Sequence, residues 1–147
     1  MVRPFNHIGP GQSPNFAVSA LAKRIVDAER TGATEIPVGN LSARRDFTDV
    51  RDVVRSYRLL LASGAPGAVY NVCSGVDVSI QEIADRLLAA AGSTVRLVQD
   101  PSLMRPVEVP VLRGDPTRLQ EATGWSPDLP LDRTLADVLA HWRGAPA

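Results

Sequence analysis

Residues 2–12 read VRPFNHIGPGQ. An extended, partly apolar opening leads into Asn6 and His7 and then into a loop punctuated by Gly9, Pro10 and Gly11. Open α/β sheets bind ligands in the crevice outside the carboxyl ends of their strands, and a strand that breaks into a polar loop fits that position. The stretch is therefore read as a strand that delivers Asn6 and His7 to a ligand-facing loop.

The pattern that follows alternates helices with strands. From Phe16 to Gly32, helical spacing joins Val18, Leu21, Ala22, Ile25 and Val26, with the glycine as a cap. EIPVGN (35–40) and RRDFT (44–48) read as strands, the second setting Asp46 and Thr48 against Phe47. Val50, Val53, Val54, Tyr57, Leu60 and Leu61 form a full amphipathic stripe, opened by Thr48 or Asp49 and closed by the turn SGAPG (63–67). AVYNVCSG (68–75) has the composition of a strand buried on both faces. Ser79 and Glu82 then form a capping box for a helix carrying Ile80, Ile83, Ala84, Leu87 and Leu88, and VRLVQ (95–99) is a further strand. Residues 100–116, DPSLMRPVEVPVLRGDP, are too rich in proline for regular structure and read as a long functional surface loop. Pro116 at a first helical position starts a short helix ended by Gly124, and a last helix lines up Leu131, Leu135, Val138, Leu139 and Trp142. The expected class is α/β or α+β.

Composition narrows the function. With 147 residues, 44% hydrophobic and 22% charged, the chain is expected to be one globular domain, 1–147. Sixteen basic side chains balance sixteen acidic ones, so no field draws it to nucleic acid or to anionic lipid. Cys73 is the one cysteine, which excludes an internal disulfide and suits a reducing compartment, so the cytoplasm is the expected location. No apolar run is long enough to span a membrane.

Arginines stand at loops and strand ends: Arg3, Arg44, Arg45, Arg105 and Arg113. Guanidinium groups suit bidentate contact with phosphate oxygens. Arg45 beside Asp46, and Arg105 near Glu108, each set a cation next to a carboxylate, a pairing able to hold a pyrophosphate and a ribose diol. The plainer alternative is a set of surface ion pairs. For His7 the plainer reading, a satisfied loop histidine, is preferred. Asn6 and Asn71 can each serve only their own backbone, Gly9, Gly11 and Gly39 can answer a need for positive φ, and Cys73 reads as an inert buried residue. GPGQSP carries Pro14 where a dinucleotide fingerprint needs its last glycine. No tyrosine has lysine four residues on, and the two histidines make no metal site. From the residues alone the chain has binding chemistry and no catalytic residue.

RPFNHIGPGQ, VGNLSARRDFTDVRDVV, YNVCSG, RPVEVPVLRGD and GWSPDLPLDRTLADVLAHWR, in that order, resemble the C-terminal half of the extended short-chain dehydrogenase/reductases. Within them the match is to the branch of GDP-mannose 4,6-dehydratase and GDP-4-keto-6-deoxymannose reductase. The resemblance implies an α/β fold with α+β character in a chain lacking most of the Rossmann domain. Residues 1–12 would be the end of a Rossmann strand with its substrate loop, and 13–147 a nucleotide-sugar-binding subdomain. It implies that Asn6 contacts the sugar diphosphate, that the backbone of Pro4 and Phe5 borders the nicotinamide, and that Asn40 and Leu41 lie against the base. Arg45 would sit on the pyrophosphate, and Arg105 and Glu108 would grip the diphosphate and the ribose hydroxyls. The intact family uses NAD or NADP. The glycine-rich loop and the Tyr/Lys pair belong to the absent part, so this chain alone is expected to bind neither cofactor and to be inactive. It would be a truncated product or one piece of a split enzyme, with a GDP-sugar as ligand and a separate Rossmann half as candidate partner. Alternatives are a noncatalytic nucleotide-sugar-binding or docking module, or a fragment without function. Apolar faces on the first strand and on the helix from Val50 are expected to be exposed.

Overall fold

The opening strand is two strands that belong to different sheets. In the computed structural model, which describes residues 1–104 and 109–146, β1 (Val2–Pro4) pairs in parallel with β5 (Tyr70–Val72). After a break at Phe5, β2 (Asn6–Ile8) pairs in parallel with β4 (Arg44–Asp49). The amide of Phe5 makes the last bond of the first ladder, 2.9 Å to the Val72 carbonyl. Beyond it β5 turns away at Gly75, which sits at φ 82°, so the opening strand must find a new neighbour.

β4 is the hub of the second sheet. β6 (Asp77–Ser79) runs antiparallel to it and β8 (Val111–Leu112) parallel to it, both against Arg44 and Arg45. A third, two-stranded parallel sheet joins β3 (Glu35–Val38) to β7 (Arg96–Gln99). Three helices, α1 (Ala17–Thr31), α3 (Ile80–Ala91) and α5 (Leu131–Gly144), share the larger core with Ile8, Ile36, Val38 and Phe47. The smaller core gathers Val53 of α2 (Val50–Ser63), Leu119 of α4 (Thr117–Thr123), Tyr70, Val72 and Trp125. The mixture of helices with largely parallel strands is the α/β arrangement anticipated from the pattern.

Local chemistry explains most element ends. Asp49, rather than Thr48, caps α2 by accepting from the Arg51 amide at 2.8 Å. Both arms of the Ser79/Glu82 capping box are made, at 3.0 and 2.8 Å. Asp46 points inward from β4, fully buried. Its carboxylate accepts from the amide and hydroxyl of Ser74 (2.8 and 2.6 Å), the amide of Gly75 (2.9 Å) and the amide of Gly114 (3.3 Å). One charge thus satisfies three backbone donors from two distant segments and pins both to the central strand.

Several expectations need correction. The proline-rich stretch is not wholly irregular: Pro101–Leu103 form a short 3-10 helix and Val111–Leu112 pair with β4. β6 was hidden by the capping box that follows it. β3 stops at Val38, because Gly39 and Asn40 turn away into a loop. Pro116 caps α4 from outside instead of opening it. Of Gly9, Gly11 and Gly39, only Gly11 needs positive φ. At Gly9 and Gly39 a side chain would collide, with Val50 at 2.6 Å and with the Leu103 carbonyl at 2.3 Å. Among the described residues no helix is long and apolar enough to cross a membrane.

Candidate functional site

Arg44 and Arg45, neighbours on β4, have separate fates because successive strand residues face opposite ways. Arg44 is consumed by structure. Its Nε meets Asp77 at 2.6 Å, its Nη1 meets Glu82 at 3.0 Å, and Nη2 donates to the Asp77 carbonyl. The Arg44 hydrogen bond holds the Asp77 carboxyl below its ordinary range, and the Ser79 amide does the same for Glu82. Arg45 has no carboxylate partner among the described residues; its Nη1 rests on the Arg44 carbonyl at 2.7 Å. The pairing of Arg45 with Asp46 is therefore corrected, since Asp46 is buried beneath the strand and occupied by backbone amides.

Arg45 stands where two clefts join. The larger, ≈ 890 Å³, runs between α1 and the β3 end, with Asn40, Leu41, Leu103 and Arg24 among its walls. The smaller, ≈ 250 Å³, contains Asn6, His7 and Gln12. Ala17, Arg45 and Ile80 belong to both. Ala17 is the first residue of α1, whose N-cap Phe16 supplies no side-chain bond and whose first turn holds no acid. Uncapped amides and the positive end of a fifteen-residue helix thus face the same seam as the Arg45 guanidinium. No acidic side chain lines either cleft among the described residues. The junction offers a guanidinium and helix amides to an anion, between a larger compartment with mixed polar and apolar walls and a smaller, mostly apolar one into which Asn6, His7 and Gln12 bring polar groups.

The remaining side chains divide clearly. Asn40 turns its Oδ1 to the Ser42 amide at 2.9 Å, which leaves its carboxamide donor for the cleft. Asn6 and His7 are exposed in the smaller cleft, with His7 Nδ1 3.1 Å from the Phe5 carbonyl. Pro4 and Phe5 line neither cleft. Arg105 and Glu108 lie outside the described residues. Cys73 is fully buried, and burial pushes its thiol up to about 12, so it is no nucleophile.

Two cleft residues escaped the sequence reading. Gln12 donates to the His7 carbonyl at 2.8 Å, while its buried Oε1 has no partner among the described residues and remains available to a ligand hydroxyl. Arg24 is the second. Its signal was the spacing 17, 20, 21, 24, one helical stripe that forms a cleft wall.

The turn from Gly9 to Gly11 does not fit a dinucleotide phosphate. Pro10 has no N–H, the Gln12 amide closes the turn onto the Gly9 carbonyl at 3.3 Å, and Gly9 packs against Val50. The described residues also contain no cluster of three metal-ligating side chains.

An opening segment split between two sheets, pairing in parallel in each, with a two-compartment cleft beside its carboxyl end, is the arrangement of the C-terminal portion of an extended short-chain dehydrogenase/reductase. The solved structure of RMD from Pseudomonas aeruginosa complexed with NADPH superimposes with a TM-score of 0.90 at 41% identity, over 97% of this chain and 47% of that one. A putative epimerase from Burkholderia cenocepacia follows at 0.87 and 36%, over 98% and 46%. The model of the GDP-mannose 4,6 dehydratase family matches residues 1–138, and the chain belongs to that family. GDP-6-deoxy-D-mannose reductase of Pseudomonas aeruginosa is 41% identical over 143 residues, 97% of this chain and 47% of that protein. The chain spans about half the length of the curated relatives it matches.

Proposed function

We infer that this chain is the substrate-binding half of an NAD(P)-dependent GDP-sugar oxidoreductase, most akin in activity to the reduction of GDP-4-keto-6-deoxymannose. The observation that carries the reading is the seam where Arg45 and the uncapped start of α1 meet between two clefts. A diphosphate there places its nucleoside against Asn40 and Leu41 and its hexose among Asn6, His7 and Gln12. The similarity at 41% identity to a GDP-6-deoxy-D-mannose reductase supports the choice of GDP-sugar and of a reductase. By resemblance, Arg105 joins Arg45 on the diphosphate and Glu108 accepts from the ribose diol.

In this reading the chain's own residues bind and orient. Arg45 and the α1 amides neutralise the diphosphate, and Gln12 Oε1 takes a hexose hydroxyl, which fixes the ring beside β2. Pro4 and Phe5, at the break between the two sheets, border the nicotinamide. The nicotinamide supplies the hydride when bound, and its site belongs to a Rossmann half that joins along β1, as a separate chain or as a segment of a longer one. Residues 1–12 then close the Rossmann sheet and 13–147 form the sugar-binding subdomain. The proposed location is the cytoplasm, where nucleotide sugars and reduced nicotinamide cofactor are available.

The test combines calorimetry and complementation. The chain is titrated with GDP-mannose and with UDP-glucose, then mixed with the N-terminal half of the Pseudomonas aeruginosa relative, NADPH and GDP-4-keto-6-deoxymannose. Selective GDP-sugar binding with restored NADPH oxidation is expected. Arg45→Ala should weaken GDP-mannose by about 10- to 100-fold, the worth of a charge-assisted hydrogen bond. Binding without turnover in a well-folded mixed enzyme would instead support the noncatalytic binding module, and no binding in either setting would overturn the reading.

A further inference from the structure

The larger cleft has two ends, and each carries one arginine. Arg45 marks the end shared with the smaller cleft. Arg24 marks the opposite end, because Arg24 and Leu103 also line the groove beyond, between α1 and β3. If the diphosphate lies at Arg45, as the proposed function requires, the base reaches the Arg24 end. Arg24 is half-buried and oriented: its Nη1 donates to the Pro37 carbonyl at 2.7 Å, which fixes the guanidinium plane. Among the described residues its Nε and Nη2 have no partner and it makes no ion pair, unlike Arg44, Arg51, Arg55 and Arg143.

A fixed guanidinium with free donors recognises a base edge bearing two acceptors. Guanine presents O6 and N7 side by side. Adenine presents N7 beside an amino donor that would face the donors of arginine, and uracil presents a single O4 beside an N–H. The opposite, Watson–Crick edge of guanine is a donor edge that calls for a carboxylate, and no acidic side chain lines this cleft among the described residues. Asp27, Glu35 and Asp100 line the groove beyond Arg24 and not the cleft itself, so the Arg24 donors, on the cleft's own wall, match the acceptor edge.

Resting on the proposed function, we propose that Arg24 is the residue that selects guanine, by donating to O6 and N7 of the base of a guanosine diphosphate sugar. The consequence is a specificity determinant on α1, one element away from the loop at Asn40 that the base lies against.

The test measures affinity of the chain for GDP, IDP, UDP and 7-deaza-GDP by calorimetry, with the chain unaltered and as Arg24→Lys and Arg24→Ala. IDP keeps O6 and N7 and lacks only the exocyclic amine, so it should bind like GDP. UDP, and 7-deaza-GDP with its missing N7, should bind about tenfold more weakly or worse, the range of a lost bidentate base contact. Arg24→Ala should lose the preference for GDP over UDP and over 7-deaza-GDP, while UDP affinity stays unchanged; Arg24→Lys, whose ammonium can still donate to O6 and N7, should keep part of it. Equal binding of GDP and 7-deaza-GDP by the unaltered chain overturns the assignment even if a variant fails to fold. Retained GDP preference in Arg24→Ala overturns it too, and leaves the proposed function standing. A chain that binds no nucleoside diphosphate removes both.

Discussion

Gly114 is held closer to its neighbours than any side chain allows. A Cβ there would stand 2.4 Å from Cys73 Sγ and 2.9 Å from Phe5 Cζ, while the Gly114 amide donates to Asp46. Flexibility is not the reason for this glycine; close approach of β5, the Phe5 break and the segment after β8 is. Gly114→Ala should cost about 1–3 kcal/mol, the range for overpacking a filled core, read as a lower midpoint in urea. Gly144→Ala, at the end of α5 where nothing lies within 4 Å, is the matched substitution that should not lower the midpoint. The same residue scale shows what sequence could not reveal. Arg44 and Arg45 are indistinguishable in a string, and only partners 33 and 38 positions away decide that one is structural and the other faces the cleft. Asp46 looked like a ligand-binding carboxylate for the same reason, its amide partners being 28 to 68 residues distant.

At the scale of elements, α2 and α5 are joined through a buried cap. Asp49 accepts from the Arg51 amide and guanidinium and from the Thr134 hydroxyl, the last at 2.7 Å. Burial pushes its carboxyl up, but the hydrogen bonds from Arg51 and Thr134 outweigh burial and the net displacement is downward. A carboxyl lowered in the folded state takes up more protons when unfolded, so its stabilisation is complete above the ordinary aspartate range, about pH 4, and disappears as pH falls through the folded value. Urea titrations at pH 7 and at successively lower pH should show that loss. Asp49→Asn keeps a capping oxygen but loses the charge that faces the Arg51 guanidinium, and should remove about 1–2 kcal/mol at neutral pH, the difference between charge-assisted and neutral hydrogen bonds, and flatten the acid limb; an unchanged acid limb would assign the effect to other carboxylates. The helices were legible in the sequence because each carries its own period and its own cap. β6 and β8 were not, being a three- and a two-residue strand that exist only because β4 offers them an edge.

At the scale of the whole molecule, an apolar surface has no cover among the described residues. Along α2, Val54 is 58% exposed, Tyr57 37% and Leu61 90%, and with Met1, Val2 and Tyr70 the helix borders an open hollow of ≈ 280 Å³. Such a face drives association. The isolated chain should self-associate with rising concentration in light scattering, and Leu61→Lys should shift it toward monomer; concentration-independent monomeric behaviour of the unaltered chain would sink this expectation. Addition of the Rossmann half should have the same effect if it covers this face. Asn6, Asn40, Leu41 and Arg45 were legible in the sequence as candidates, and the fold brings them to the two joined clefts. The second cleft arginine was not, because a helix must be folded onto β3 before Arg24 has a cavity to face.

Each of the two hydrophobic cores holds one tryptophan. Trp125 is sealed in the smaller core, its indole N–H on the Asp52 carbonyl at 3.0 Å, and Trp142 packs against the larger one, its N–H on the Ser19 hydroxyl at 3.1 Å. Ser19 in turn donates to the Gln12 carbonyl at 2.6 Å. The molecule thus carries two built-in fluorophores: the emission of Trp125 follows the side where a Rossmann half would dock, and that of Trp142 follows the loop at the mouth of the smaller cleft.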